Sequence, residues 1–324
     1  MYIPFVDRES EMSKLLGYTD RGFYPVLFIY GPEGCGKTRL LREFIARIKA
    51  REDVVAVYID VQSTERVEDA VYGPKELVEY LSTAIEGVSG VVGKLVAQLL
   101  PRAIKKVFEY RLRGKKLVIA VDDVAKPLGL DVVESYAKKL LDLVEWALGV
   151  GVDKVFVLAT TSEGISMRYL ARHSYVSLDM LWNLSMDAAI ELLRILNAPR
   201  DRIDEIYRYT GGNPRAMIEM YTLRWDVNAW LERLFKKLQN LVIDALYRYR
   251  EQVADVLDDI DKLVRYPSLR DVLLELNLVI PIVRPCLGYT PSIDRELGIG
   301  RFYAWQIPAY REVLKRVVES STGS

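Results

Sequence analysis

The chain has 324 residues, of which half are hydrophobic and 28% are charged, so it is a globular protein of two or three domains rather than a disordered chain. Lysine plus arginine and aspartate plus glutamate are equal at 45 each, so no overall charge draws the chain to nucleic acid or to an anionic membrane. No apolar run approaches the ~20 residues that span a bilayer, and the N-terminus has no export-signal pattern. We therefore expect a cytoplasmic protein without a membrane partner.

Cysteine, histidine and the side-chain amides are scarce. The two cysteines, Cys35 and Cys286, form neither a metal-spaced pair nor a disulfide framework. The single histidine, His173, excludes a histidine-cluster metal site. Five glutamines and six asparagines beside many ion-pairing residues are typical of a thermophile protein.

Short apolar runs alternate with longer helical patterns through the first half of the chain. Continuous runs rich in β-branched residues are typical of parallel strands buried on both faces, and they cover residues 25–30, 54–59, 117–121, 155–159 and 175–178. Helical spacing of apolar residues occupies segments 38–49, 74–87, 91–112 and 132–148. This alternation predicts an α/β core with a doubly wound parallel sheet.

The strand signal stops after about residue 182. Three short helical patterns follow at 187–196, 201–209 and 214–223, and residues 226–261 are almost wholly helical in pattern. Strand-like pieces at 276–283 and 301–307 flank a loop with proline and glycine. We predict an α/β core over residues 1–181, a helical lid over 182–240, a winged-helix-like domain over 241–319 and a disordered tail over 320–324.

The strongest motif lies between the first predicted strand and the first helical pattern. Residues 31–38 read GPEGCGKT, an uninterrupted match to G-x-x-x-x-G-K-[ST], the P-loop (Walker A) pattern whose backbone N–H groups surround phosphates. Lys37 is expected to reach the β- and γ-phosphates, and the Thr38 hydroxyl to bind Mg²⁺. The residues predicted to hold the nucleotide phosphates are Gly31, Pro32, Glu33, Gly34, Cys35, Gly36, Lys37, Thr38 and Arg39.

Two further strand ends carry polar residues. Asp122 and Asp123 end the run at 117–121, where a P-loop needs a carboxylate for Mg²⁺; Asp122 is predicted to bind the metal and Asp123 to act as the base or to orient water. Residues 159–163 read ATTSE. Thr161 is predicted to contact the γ-phosphate or the attacking water, while a cap on the following helix from Ser162 is an equally good interpretation.

The order of these motifs resembles the AAA+/STAND branch of P-loop ATPases. The P-loop comes first, followed by the Asp-Asp strand end (Walker B), the polar strand end and the run YTGGNPR at 209–215. The run FVDRE at 5–9 and the 209–215 run resemble, within that branch, the predominantly archaeal ATPase family. This resemblance covers about residues 4–225, and the ending YAWQIP at 303–308 also fits. It implies a P-loop NTPase core, a helical lid, a C-terminal winged-helix-like module, ATP or ADP as ligand, and Mg²⁺.

The resemblance also implies roles for single residues. Phe5, Val6 and Arg8 match the segment that folds over adenine, and Pro214 matches the lid proline that lies near the base. Arg215 matches an arginine that senses phosphate from the lid. Because AAA+ motors usually carry Asp-Glu at the second strand end, the Asp-Asp pair implies a slowly hydrolysing switch whose lid and C-terminal module respond to nucleotide state.

Other interpretations stay open. The chain could be a DNA-binding initiator or regulator that uses ATP only as a conformational switch, or a nucleotide-binding interaction module without hydrolysis. A DNA or protein partner could bind residues 241–319, although residues 240–318 carry eleven basic and eleven acidic side chains. The basic stretch at 101–116 is the other candidate, with a solvated helix face as its alternative. Arg168 and Arg172 are either surface residues or arginine-finger candidates.

Overall fold

The computed structural model describes residues 3–108, 111–161, 164, 166–283 and 286–320, with side chains except at 126, 127, 130, 131, 240–247 and 318–320. Its central sheet has, among these residues, six strands in the order β3-β2-β4-β5-β1-β6. They are β1 (Val26–Tyr30), β2 (Val54–Asp60), β3 (Val71–Tyr72), β4 (Lys116–Asp122), β5 (Lys154–Thr161) and β6 (Val176–Met180). The five predicted strands are confirmed as parallel neighbours, and β3 adds a short antiparallel edge.

Helices cover both faces of this sheet. They are α1 (Glu9–Arg21), α2 (Lys37–Ile48), α3 (Val67–Ala70), α4 (Lys75–Ile85), α5 (Val92–Phe108), α6 (Ala125–Leu128), α7 (Leu130–Gly149) and α8 (Ser166–Leu170). In β1, Val26 and Phe28 lie in the apolar cluster with α5 and α7, whereas Leu27 and Ile29 lie in the cluster with α1 and α2. Neighbouring strand residues point to opposite faces, so a strand buried on both faces must be apolar throughout.

The strand order brings three functional strand ends to one edge. β5 lies between β1 and β4, with Tyr30 in register with Thr161 and Val121 in register with Ala159. Because these strands are parallel, their carboxyl ends all open toward the P-loop that follows β1. The predicted P-loop and the predicted acids therefore lie side by side, although they are far apart in sequence.

The second half of the chain is mainly helical. Its elements are α9 (Met186–Ile195), α10 (Ile203–Thr210), α11 (Pro214–Thr222), α12 (Val227–Leu246), α13 (Arg250–Asp258), α14 (Pro267–Glu275), β7 (Val279–Pro281), β8 (Tyr303–Trp305) and α15 (Pro308–Ser320), with 3₁₀ turns at Arg200–Arg202, Tyr247–Tyr249 and Ile260–Arg265. β7 and β8 pair antiparallel. One apolar cluster runs through this half, from Leu184 to Val317.

Several predicted boundaries fall inside continuous elements. The predicted division between residues 240 and 241 lies within α12, and residue 320 ends α15, so the predicted tail begins inside a helix; its other residues lie outside the described part of the chain. The predicted helix over 226–261 is two helices, α12 and α13, joined by a 3₁₀ turn. No described helix is long and apolar enough to cross a bilayer.

The C-terminal residues also contact the sheet. Cys286 forms a parallel bridge to Met180 at the end of β6, and the Leu287 N–H donates to the Met180 carbonyl at 2.9 Å. The Tyr30 hydroxyl, at the end of β1, donates to the Pro281 carbonyl at 3.3 Å and accepts from the Val283 N–H at 2.9 Å. The β7 region thus packs against the sheet next to the P-loop strand.

Candidate nucleotide-binding site

The turn between β1 and α2 has the backbone shape that its glycines allow. Gly34 and Gly36 have φ of 82° and 105°, in the left-handed region that favours glycine. Apart from sequence neighbours, no described atom lies within 4 Å of where a Cβ on Gly36 would stand, so the turn faces open space. The first N–H groups of α2 have no partner within the helix, and together with the helix dipole they favour an anion here.

Lys37 lies on the inner side of this turn. Its buried ammonium group donates to the carbonyl oxygens of Gly31 at 2.8 Å and Pro32 at 2.9 Å. The neighbouring Thr38 is exposed and faces the adjoining cavity. The motif therefore presents one cation and one hydroxyl at the start of α2.

Asp122 is a buried carboxylate held by two hydroxyl groups. Its Oδ1 accepts from Thr160 Oγ1 at 2.6 Å, and its Oδ2 accepts from Tyr58 Oη at 3.0 Å. Burial and the negative charge of Asp122 raise the pKa of the Tyr58 phenol, which stays a hydrogen-bond donor at neutral pH. The Asp122 carboxylate is thereby fixed in orientation.

Asp123 leaves the strand in a different direction. It has φ of 53°, unusual for a residue with a side chain, and its N–H donates to Thr160 Oγ1 at 2.8 Å. Its carboxylate accepts a hydrogen bond from the Gln62 side chain. Both acids line the same cavity, so their adjacent positions give two carboxylates in two environments.

Thr161 is not where the sequence prediction placed it. Its buried hydroxyl lies 2.7 Å from that of Ser166. Thr160 instead lines the cavity, donates to the Asp122 carboxylate and accepts from the backbone N–H of Asp123. Side chains alternate along a strand, so only one of two adjacent threonines can face the acids. The polar group at this strand end is Thr160; Ser162 and Glu163 lie outside the described residues.

The N-terminal segment lies against the P-loop. Asp7 and Arg8 have φ of 57° and 79°, which turns the chain into α1. The buried Arg8 donates to Glu11 Oε1 at 2.7 Å, to the Cys35 carbonyl at 3.0 Å and to the Trp182 carbonyl at 2.7 Å. Its guanidinium group therefore holds the P-loop backbone, a role different from the predicted contact with adenine.

Glu11 is the counter-charge of Arg8, and both side chains are 4% exposed. Burial alone would raise the pKa of Glu11, but the charge and hydrogen bond of Arg8 outweigh it, so the pKa lies below the ordinary 4.5. Glu11 thus stays ionised at neutral pH.

The lid contacts the tip of the P-loop. Asn213 caps α11 by accepting from the Ala216 N–H at 3.1 Å, and its side-chain N–H donates to the Glu33 carbonyl at 2.9 Å. Arg215 donates to Glu33 Oε1 at 2.6 Å. A Cβ on Gly34 would stand 2.6 Å from the Arg215 Cβ, so this approach requires glycine.

These elements enclose a cavity of about 1540 Å³. The predicted site residues that line it are Phe5, Val6, Arg8, Glu33, Gly34, Cys35, Gly36, Lys37, Thr38, Arg39, Asp122, Asp123, Pro214 and Arg215. Gly31 and Pro32 contribute the carbonyl groups that bind Lys37. Lining residues that the sequence prediction missed include Arg42, Gln62, Thr160, Ile218, Arg233 and Asn277.

The donor set of this cavity fits a magnesium nucleotide. Mg²⁺ in proteins is usually held by one or two carboxylates together with phosphate oxygens, and Asp122 and the Thr38 hydroxyl open onto the same cavity as the P-loop. Apolar side chains from the N-terminal segment and the lid, among them Phe5, Val6 and Ile218, supply a surface of the kind that a flat base requires.

A mainly parallel sheet with a P-loop after β1 and a buried acid at the end of β4 defines a P-loop NTPase. Residues 5–220 match the family described as an ATPase domain predominantly from Archaea, and the chain belongs to that family. An uncharacterized ATP-binding protein of Pyrococcus abyssi is 24% identical over 280 residues, covering 77% of this chain and 81% of the relative. One from Methanocaldococcus jannaschii is 23% identical over 363 residues, covering 94% and 97%.

Two solved structures are similar at low identity. Cdc6p from Pyrobaculum aerophilum is 15% identical with a TM-score of 0.44, covering 99% of this chain and 96% of that chain. AMPPCP-bound DnaA from Aquifex aeolicus is 16% identical with a TM-score of 0.42, covering 79% and 75%.

The basic stretch at 101–116 is partly neutralised by acids. Arg111 pairs with Glu76 at 2.6 Å, and Lys116 pairs with Asp20 at 2.9 Å. A DNA or protein partner at this stretch, or at residues 241–319, stays a prediction.

The two arginine-finger candidates both contact acids of the same chain. Arg168, on α8, pairs with Asp271 of α14 at 2.7 Å. Arg172 lies 3.5 Å from Glu134 of α7. These ion pairs are consistent with the interpretation of Arg168 and Arg172 as surface residues.

Proposed function

We propose that this protein is an ATP-driven switch: it binds Mg·ATP at the P-loop cavity, hydrolyses it slowly, and transmits nucleotide state to the lid and the winged-helix-like C-terminal module. The position of Glu33 is the observation that best supports this switch. This P-loop residue is bonded at the same time by the lid and by the C-terminal module, so a change in the P-loop reaches both.

The phosphates bind at the start of α2. Lys37 supplies the cation and Thr38 a metal ligand, while Asp122 binds Mg²⁺. Asp123 orients or deprotonates the attacking water. Thr160, bonded to the Asp122 carboxylate and to the Asp123 backbone N–H, takes the role first predicted for Thr161. The family membership and the ATP-binding relatives support adenine as the base, with Phe5, Val6 and Pro214 beside it.

Three polar groups of Glu33 are used by three different segments. Its N–H donates to Gln306 Oε1 at 2.7 Å, and its carboxylate accepts from Arg215 at 2.6 Å and from Asn277 at 3.2 Å. Its carbonyl accepts from Asn213 at 2.9 Å. Gln306 also donates to Asn277 Oδ1 at 2.5 Å, which joins these contacts into one network.

The γ-phosphate competes for one member of this network. Arg215 lines the cavity and is ion-paired with Glu33, and phosphate oxygens form strong charge-assisted bonds with guanidinium groups. When Arg215 turns to phosphate, Glu33 loses a partner, and its bonds to Asn277 and Gln306 rearrange. ATP and ADP differ in this one phosphate, so the C-terminal module distinguishes them.

Hydrogen–deuterium exchange tests the switch. The protein is measured with Mg²⁺ and ADP, with a non-hydrolysable ATP analogue, and without nucleotide, and phosphate release from ATP is followed in parallel. We expect exchange near Asn277 and Gln306 to differ between the two nucleotides, with slow phosphate release. Equal exchange in both nucleotide states would refute the switch, and a Lys37→Ala variant shows which changes require binding.

A further inference from the structure

Tyr58 lies between the predicted metal ligand and an arginine of the P-loop helix. It belongs to β2, is buried, and its hydroxyl oxygen is 3.2 Å from Arg42 Nε and 3.0 Å from Asp122 Oδ2. Arg42 also donates to Asp60 Oδ2 at 3.1 Å, which holds its guanidinium group in place. The three side chains form a chain of hydrogen bonds from α2 through β2 to β4.

The direction of these hydrogen bonds is fixed by chemistry. A guanidinium group has donors and no acceptor, so the phenol oxygen must accept from Arg42. The single phenol proton is then directed to Asp122, which accepts on Oδ2. Arg42 thus orients the hydroxyl that orients the carboxylate.

The other oxygen of the Asp122 carboxylate is held by a residue of β5, the strand on the opposite side of β4. Thr160 of β5 donates to Asp122 Oδ1 at 2.6 Å, so one hydroxyl from each flanking strand fixes the plane of the carboxylate. Groups that hold a metal ligand in this way also tune the metal, and their loss commonly lowers metal affinity by roughly 10–100-fold.

We infer that Tyr58 is a positioning residue for magnesium: its hydroxyl, directed by Arg42, sets the orientation in which Asp122 meets the metal. The inference rests on the proposed function, in which Asp122 binds Mg²⁺. This role belongs to the Tyr58 hydroxyl alone, because the packing of the Tyr58 ring in the apolar cluster of α1 and α2 does not require a hydroxyl.

Tyr58→Phe separates the two roles, because it removes the hydroxyl and keeps the ring. The affinity for a fluorescent ATP analogue is measured against Mg²⁺ concentration and again in EDTA. We expect the Mg²⁺ midpoint to rise by about tenfold or more, with unchanged affinity in EDTA. Tyr136→Phe is the control, since the Tyr136 hydroxyl is buried on α7 with no hydrogen-bond partner among the described residues; its midpoint should equal that of the wild type.

A double-mutant cycle with Asp122→Asn adds a readout that loss of packing would not give. If Tyr58 acts through Asp122, then Tyr58→Phe changes the midpoint no further in the Asp122→Asn background. Should Tyr58→Phe fold poorly, Arg42→Lys keeps the positive charge, removes the Nε donor, and should raise the midpoint by a smaller factor. A Mg²⁺ midpoint in Tyr58→Phe equal to that of the wild type would overturn the inference. Nucleotide affinity of the wild-type protein that does not change with Mg²⁺ concentration would overturn the proposed function itself.

Discussion

The side-chain oxygen of Gln306 accepts a hydrogen bond of 2.7 Å from the backbone N–H of Glu33, across 273 residues of sequence. Gln306 is buried and also bonds Asn277. The backbone N–H of Glu33 in the P-loop therefore has a side chain that follows β8 as its acceptor. Because of this bond, the geometry of the P-loop and the position of the residues after β8 depend on each other.

Gln306→Leu should weaken this dependence. The variant keeps the approximate volume but removes this partly buried hydrogen bond, and such a loss costs about 0.5–1.5 kcal/mol of unfolding free energy. Urea unfolding measures the loss, and hydrogen exchange near Asn277 should no longer distinguish ADP from an ATP analogue. Gln252→Leu on α13 is the matched control; if both variants behave alike, the Gln306 contact does not couple the two regions.

Lys37→Ala should abolish Mg·ATP binding. Its ammonium group, which donates to the Gly31 and Pro32 carbonyls, is the cation of the proposed phosphate site. In wild type, ATP at ~100 times its Kd adds about 2.7 kcal/mol of stability, read as a rise in Tm that GTP does not produce. The variant should show no rise, while Lys49→Ala, at the far end of α2, should retain it. A full ATP-induced rise in Lys37→Ala would contradict the site.

Asp123→Asn should retain ATP binding and lose turnover. Asparagine keeps the size of the side chain but cannot accept a proton from water, and a positioned base contributes roughly 10²–10⁴-fold to rate. Phosphate release under saturating Mg·ATP should fall by about 10²-fold or more. The control is Asp53→Asn, an exposed acid before β2. Unchanged hydrolysis would show that Asp123 is not the base.

Glu11 should make stability fall in acid. Its pKa is lowered in the folded protein from 4.5, so the unfolded chain takes up the proton first as pH falls. Its contribution to the unfolding free energy is complete above about pH 4.5 and is lost as pH falls through the folded pKa. Urea unfolding from pH 7 to pH 3 measures this loss.

Glu11→Gln should remove that pH dependence. Breaking a buried ion pair on one side costs about 3–5 kcal/mol, so the variant is less stable than wild type at pH 7, and the difference narrows in acid. Glu79→Gln, in the exposed pair with Lys75, should change stability by less than about 1 kcal/mol. Parallel pH profiles for wild type and Glu11→Gln would show that Arg8 does not lower the pKa of Glu11.

Much of the α/β core could be predicted because its signals are local. The strands β1, β2, β4 and β5 consist mostly of continuous apolar runs, and residues 31–38 carry the whole P-loop in one segment. The edge strand β3 has only two residues, too few for any periodicity. Between Thr160 and Thr161, the choice depends on which face of β5 meets the acids, and composition does not encode it.

The contacts of the P-loop with distant segments could not be predicted. Gln306 and Asn277 reach Glu33 because α14, β7 and β8 fold back onto the core, and no local pattern specifies such a contact. Arg8 lines the cavity beside the P-loop. Its partners, however, are carbonyl groups of Cys35 and Trp182, which only the three-dimensional structure brings together.

The bridge between Cys286 and Met180 has a consequence for self-association. β6 is one of the two edge strands of the sheet, and an edge strand offers unpaired N–H and C=O groups that can recruit a strand of another molecule. Cys286 and Leu287 occupy the carboxyl end of that edge. If the proposed switch displaces this segment together with the C-terminal residues that bond Glu33, the carboxyl end of β6 becomes available to a strand of a second molecule.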